Sequence, residues 1–425
     1  MRRRGHPRRN SYNNVVTQPT HLRQLRPLLA GSWVHLGLLW LAGTALRVTI
    51  LEVPPVLPAI HRDLHLDEKL VGALTGLPVL LLAAAAVPGS LLVARLGARR
   101  ALVVGLGLVA AAGAVRGVGP STPLLLAMTV LMGLGIAVSQ PSLPALVKQW
   151  CPDRVGLATA VYSNGLLIGE IAAAALTVPL VLPLLGGSWQ LSFLIWSLPV
   201  ALTAVGIVVL TPHAQRDRAA PAMRWWPDWH SARTWRLGLI LGCASTAYFG
   251  TNAFIPDYLK AIHHPELIAA TLTSLNLIQL PASILVGVAP DRLVGRRWPL
   301  GTAGLLMLTA VAGFLGPPGL LVVAAAGVVG FCSALVLVLN LALPPLLADA
   351  DDVHRLSAAM FTISYACASV SAIVGGAIWD ATGIPATAFT LVAASGLLMA
   401  VLALGLDLPR TAPISTYSRQ PEAGA

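Results

Sequence analysis

The chain has 425 residues, 56% of them hydrophobic and only 11% charged, where an ordinary soluble protein carries about 25% charged residues. A length that could furnish two or three soluble domains is instead used up by serial membrane crossings, which excludes a soluble enzyme. The formal net charge of +11 falls in short loops between apolar stretches, so it reports membrane orientation and argues against nucleic acid as a partner.

Residues 1–32, MRRRGHPRRNSYNNVVTQPTHLRQLRPLLAGS, are basic and polar and read as a disordered tail. The next stretch, residues 33–58, is apolar and long enough to cross a bilayer, yet carries Arg47 near its middle. A short apolar run with a small-residue cleavage site would mark a secretory signal; here the long span is expected to stay as the first helix. Apolar windows recur at about 69–93, 100–117, 123–147, 156–182, 190–211, 235–258, 267–290, 298–316, 319–347, 353–379 and 385–407. With the first, they make twelve expected spans. The longest interruption, residues 212–234, falls between the sixth and seventh, giving halves at 33–211 and 235–407 and a closing tail at 408–425. The fold class expected is an all-α membrane protein of two six-helix halves.

Lys and Arg concentrate in the first tail, the loop at Arg95, Arg99 and Arg100, the central loop, the loop at Arg292, Arg296 and Arg297, and the last tail. Only Arg62, Lys69 and Lys260 fall in loops on the other side. The positive-inside rule then puts both termini in the cytoplasm.

Two six-span halves joined by a basic cytoplasmic loop resemble the major facilitator superfamily. That family's loop between spans two and three reads Gly-x-x-x-Asp-Arg-x-Gly-Arg-Lys/Arg. Here Ser90 to Arg100, SLLVARLGARR, keeps Arg95, Gly97 and Arg99 but has Ala94 in place of the acid. The second half repeats the pattern at Gly287 to Arg297, GVAPDRLVGRR, with Asp291, Arg292 and Arg296 and one extra residue before the glycine. An internal repeat predicts such a pair of gating loops. Within the superfamily, Arg47, VPPVLPAIHRDL (53–64), VGALTGLPVLL (71–81), residues 145–170 and AYFGTNAFIPDYL (247–259) resemble the cyanate and nitroimidazole transporter branch. The resemblance implies a small, compact solute, with an anion as one reading, and nothing finer. A monomer in the inner cell membrane is expected, its two halves rocking about a site near the midplane. The Gly-Pro-x-x-Gly-Gly sequence of the drug/proton antiporters is absent from the fifth span, an argument against that branch.

Polar residues inside spans are the candidates for chemistry. Arg47 is either half of a structural ion pair or an anion-binding residue, for which its fork of donors suits it. Glu170 lies at a comparable depth in the fifth span and is a proton site, the fixed partner of Arg47, or part of the cavity lining. Asn164, Tyr248, Asn252, Asn276, Gln279, Asn340 and Tyr365 also fall within spans, each as suited to joining helices as to touching solute. Tyr248 and Asn252 share a helix face at i, i+4. Glu52 is about 140° round the helix from Arg47 and is expected near the outer mouth. Gly133, Gly135, Gly165 and Gly169 are expected to be close-packing points between helices.

No cofactor or metal is expected. His263 and His264 have only Glu266 beside them, and Cys151, Cys243, Cys332 and Cys367 lack metal spacing and read as free thiols. Trp225, Trp226, Trp229 and Trp235 suit an interfacial stretch against lipid. Rival classes are weaker: an enzyme has only Asp349, Asp351 and Asp352 to offer, which read as a solvated turn, and a membrane sensor would carry a signalling domain. Broad-specificity efflux by the same fold is the alternative to uptake.

Overall fold

The computed structural model describes residues 21–66, 68–119, 121–211 and 224–406. Among the described residues, eleven helices are long and apolar enough to cross a membrane, and a twelfth, Trp298–Phe314, is apolar but shorter. The spans are Trp33–Leu64, Gly76–Leu96, Ala98–Val115, Thr122–Trp150, Pro152–Leu184, Trp189–Leu210, Ala232–Ala261, Pro265–Val288, Trp298–Phe314, Leu320–Leu347, Val353–Thr382 and Pro385–Leu404. They are called spans one to twelve below. The first helix begins at His21, before the expected span, because leucines at 22, 25, 28 and 29 continue its helical period upstream. The central stretch 212–223 lies outside the described residues, as do residues 1–20 and the closing tail 408–425.

Outward faces of the spans carry exposed apolar residues such as Leu180, Leu202, Val209, Leu320, Ile373 and Leu404, the surface that lipid requires. Inside the bundle, glycine lets backbones meet. A Cβ added at Gly165 would strike the carbonyl of Trp40, one at Gly169 the carbonyl of Thr44, and one at Gly43 the carbonyl of Tyr162. Spans one and five therefore cross with their backbones in contact. Gly135 packs on Gly105 between spans three and four, and Gly133 on Leu81 of span two.

Two spans break near their middles. Span one ends one helix at Leu51, turns at Glu52 and restarts at Val53, because Pro54 and Pro55 have no N–H to give the carbonyls one turn back. Span eight breaks at Ile278, just ahead of Pro281. Pro141, Pro144 and Pro256, by contrast, sit inside continuous helices.

The two loops that resemble one another in sequence turn alike. Gly97 (φ +82°) and Gly295 (φ +72°) both take the left-handed conformation that favours glycine. Arg99, however, works inside its own half. It donates to Thr211 Oγ1 (2.6 Å) and to the carbonyls of Val208 (2.9 Å) and Ile207 (3.3 Å), closing the end of span six. Arg95, Asp291, Arg292 and Arg296 are exposed.

On the face carrying these loops the halves are joined. Lys148 donates its ammonium to the carbonyl of Ala348. A Cβ at Gly156 would lie 2.8 Å from Pro290. Deeper in, Asn164 donates to Ser283 (3.0 Å) and Thr362 to the carbonyl of Ala83 (2.9 Å). A charge-assisted hydrogen bond is worth about 1.5–3 kcal/mol, so Lys148→Met is expected to move at least about a tenfold share of the population toward the form open on this face. Labelling by an impermeant maleimide of a cysteine placed at Ala253, on the opposite side, should slow accordingly. An unchanged rate would show that this bond does not hold the face shut.

Candidate functional site

The cavity lies between the halves and has a volume of about 760 Å³. It is walled by Leu51, Val53 and Pro54 of span one, Pro78 of span two, Ala174 of span five, and Asn252 and Thr273 of spans seven and eight. It thus runs from mid-membrane toward the face that the charge bias assigns to the outside. Arg47, Glu170, Tyr248, Phe249 and Tyr365 form its floor, and past them continues a small space of about 40 Å³ lined also by Gln279, Ser245 and Phe361. By the usual measure that space holds a few waters or a solute of similar size.

Arg47 is placed by span one and Glu170 by span five, which the glycine crossing brings together. Arg47 Nη1 lies 3.3 Å from Glu170 Oε1, with the side chains 10% and 12% exposed. Arg47 Nη2 donates to the hydroxyl of Tyr365 (3.2 Å), which also accepts from Gln140 Nε2 (2.9 Å). With both lone pairs of Tyr365 engaged, its own hydrogen remains to donate. Arg47 Nε is buried and has no acceptor among the described residues.

The second half completes the network. The hydroxyl of Tyr248 reaches Glu170 Oε2 (3.3 Å) and Asn276 Oδ1 (2.7 Å), Asn276 donates to Asn252 Oδ1 (3.3 Å), and Gln279 donates to Asn276 Oδ1 (3.4 Å). One ion pair of the first half is therefore gripped on both sides by tyrosines of the second. Any movement of one half against the other must remake these bonds.

Of the residues picked from sequence, Arg47, Glu170, Tyr248, Asn252, Asn276, Gln279 and Tyr365 meet at this cavity. Asn164 and Asn340 do not. Asn164 accepts from Trp40 Nε1 (3.0 Å) and donates to Ser283, joining spans one, five and eight. Asn340 is fully buried and donates to the carbonyl of Leu237 (2.8 Å), joining spans ten and seven. Both are helix-to-helix bonds, the alternative use of an amide within a span. Gln140 went unremarked in sequence, although a glutamine between serine and proline inside a span was a visible signal. Glu52, which sequence left without a partner, is fully buried and paired with Arg116 of span three.

The sequence model of the Major Facilitator Superfamily matches residues 38–272 and 237–423. The chain belongs to the Major Facilitator Superfamily. Its resemblance to the branch read from the sequence also holds. The chain is 29% identical over 382 residues to the 2-nitroimidazole transporter of Escherichia coli (strain K12), covering 87% of this chain and 93% of that one. It is 27% identical over 284 residues to the cyanate transport protein of the same organism, covering 65% and 72%. Among solved structures it is similar to the superfamily transporter FucP in the outward conformation, with a TM-score of 0.66, 16% identity and coverage of 88% and 99%. This superfamily member is accordingly a multi-pass membrane protein of the transporter fold.

Proposed function

We propose that this protein is a secondary active transporter of a small, compact solute with hydrogen-bond acceptors at its end, crossing the cell membrane by alternating access. The observation that carries the reading is the state of Arg47. It lies at the floor of a cavity, tied to Glu170 and Tyr365, with Nε and the Tyr365 hydrogen left for an acceptor. A cyanate ion and the nitro group of a nitroimidazole, the solutes named for the two relatives, share what that fork recognises: a small, slender group, linear or planar, that ends in acceptor atoms.

Glu170 is the proposed coupling group. As a carboxylate it holds Arg47 and competes with solute for the same guanidinium. A proton on Glu170 cancels that attraction and frees Arg47, so proton and solute enter together and leave together. The tyrosine grips then re-form on the other side of the cycle, the two halves rocking about the floor. With both termini cytoplasmic, the cavity faces outward in this form.

The test is uptake by proteoliposomes of labelled cyanate, labelled 2-nitroimidazole and a set of larger acids and amines, with and without an imposed pH gradient. Accumulation of one or more compact solutes, driven by acid outside, is expected. Uptake indifferent to the gradient would overturn the coupling, and uptake confined to the larger solutes would overturn the solute class.

A further inference from the structure

A second arginine lines the same cavity. Arg116, at the end of span three, is 1% exposed and is among the residues walling the vestibule. It pairs through Nη2 with Glu52, the residue at which span one breaks, and the same nitrogen donates to the carbonyl of Thr49 (2.9 Å). Its guanidinium carbon stands 4.2 Å from the centre of the Phe193 ring. Glu52 follows Arg47 by five residues, so this pair lies about 7.5 Å further along the helix axis, toward the mouth.

The pair is poorly satisfied for one that only holds helices together. A buried ion pair offsets its desolvation when the remaining donors and acceptors are also met. Here Arg116 Nε, Arg116 Nη1, Glu52 Oε2 and Thr49 Oγ1 are all buried with no partner among the described residues. The arginine loads both its contacts on Nη2 while the ring beneath fixes its plane, which leaves the N–H of Nε and those of Nη1, on different sides of the guanidinium, without an acceptor in a residue that walls the cavity. Each can take an acceptor lying in that plane.

We propose that Arg116 and Glu52 form a second solute station on the vestibule wall, holding the same class of small acceptor-bearing anion before it reaches Arg47. The inference rests on the anion reading of Arg47 for its choice of solute. Each station repeats one design: an arginine, a first-half carboxylate that the anion displaces, and guanidinium N–H groups without a protein acceptor. Two stations in a line let an arriving anion occupy the outer one while the inner one is emptied.

Crystals of the full chain in this outward-facing form, soaked in bromide and measured at the bromine edge, test it. Two anomalous peaks are expected, one at Arg47 Nε and one at Arg116 Nε or Nη1. A peak at Arg47 alone overturns the second station and leaves the inner site standing. A peak at Arg116 alone supports the station and overturns the reading of Arg47, and no peak at either overturns both. In the double variant Arg116→Gln, Glu52→Gln, which leaves no lone charge buried, the outer peak should vanish and the inner one remain; an outer peak that persists places the ion on other groups and overturns the assignment.

Discussion

Arg47→Gln is expected to reduce solute uptake by about 100-fold or more while Arg47→Gln, Glu170→Gln restores stability without restoring transport. The argument separates two consequences of removing one charge. Glutamine cannot supply the charged bond to Glu170 (3.3 Å) or the second donor to Tyr365 (3.2 Å), and two charge-assisted bonds to a solute are worth about 3–6 kcal/mol together. Separately, the single variant strands Glu170 without its partner in a largely buried position, and breaking a buried pair from one side typically costs about 3–5 kcal/mol of stability. A fall in melting temperature in the single variant, recovered in the double, isolates that second effect. Uptake by the double variant at the wild-type rate would reduce Arg47 to a fixed strut. Glu170→Gln alone should behave differently, since Arg47 keeps its charge and loses its competitor: exchange of labelled for unlabelled solute persists, and accumulation against a gradient fails.

That the Arg47 to Glu170 pair can be anticipated, while the Glu52 to Arg116 pair cannot, follows from how charge reads in an apolar chain. A charge at the centre of a span has to find a partner or water, and few candidates lie at the depth of Arg47, so Glu170 stands out. Arg116 falls at the end of its span, where arginine reaches the interface without cost, and Glu52 can be assigned to the same interface. Only packing shows that both are turned inward. The twelve spans, their division into halves and the paired glycine turns at Gly97 and Gly295 are written in hydropathy and spacing, which are properties of one dimension. Asn164 and Asn340 are indistinguishable in sequence from Asn252, because an amide in a span satisfies itself equally well against a neighbouring helix or a cavity. Likewise the prolines mark where a span can break, but Pro141 and Pro256 stay within continuous helices while Pro54 and Pro55 do not. Neighbouring packing, invisible in the chain, decides between these outcomes.

Gly165→Val is expected to prevent the first half from folding, and Gly169→Ala to leave it folded with a damaged site. At Gly165 any Cβ meets the Trp40 carbonyl, with the amide of Thr44 at 3.2 Å, so both neighbours are backbone and neither has a rotamer to give. Overpacking of a well-packed interior typically costs about 1–3 kcal/mol, and a branched residue against main chain belongs at or above the upper end. The control is Gly107→Val on span three, where nothing lies within 4 Å and the position is exposed; it should express and melt like wild type. Gly169 is the sharper probe of function because it precedes Glu170 directly and packs on Thr44, one turn before Arg47. A single methyl there must part spans one and five locally, and an ion pair of 3.3 Å bridging that crossing lengthens with it. The expected signature is a variant that purifies normally, retains most of its thermal stability and loses about tenfold in uptake rate. Wild-type uptake by Gly169→Ala would mean that the pair tolerates separation of the helices that carry it, and that backbone contact at this crossing serves the fold alone.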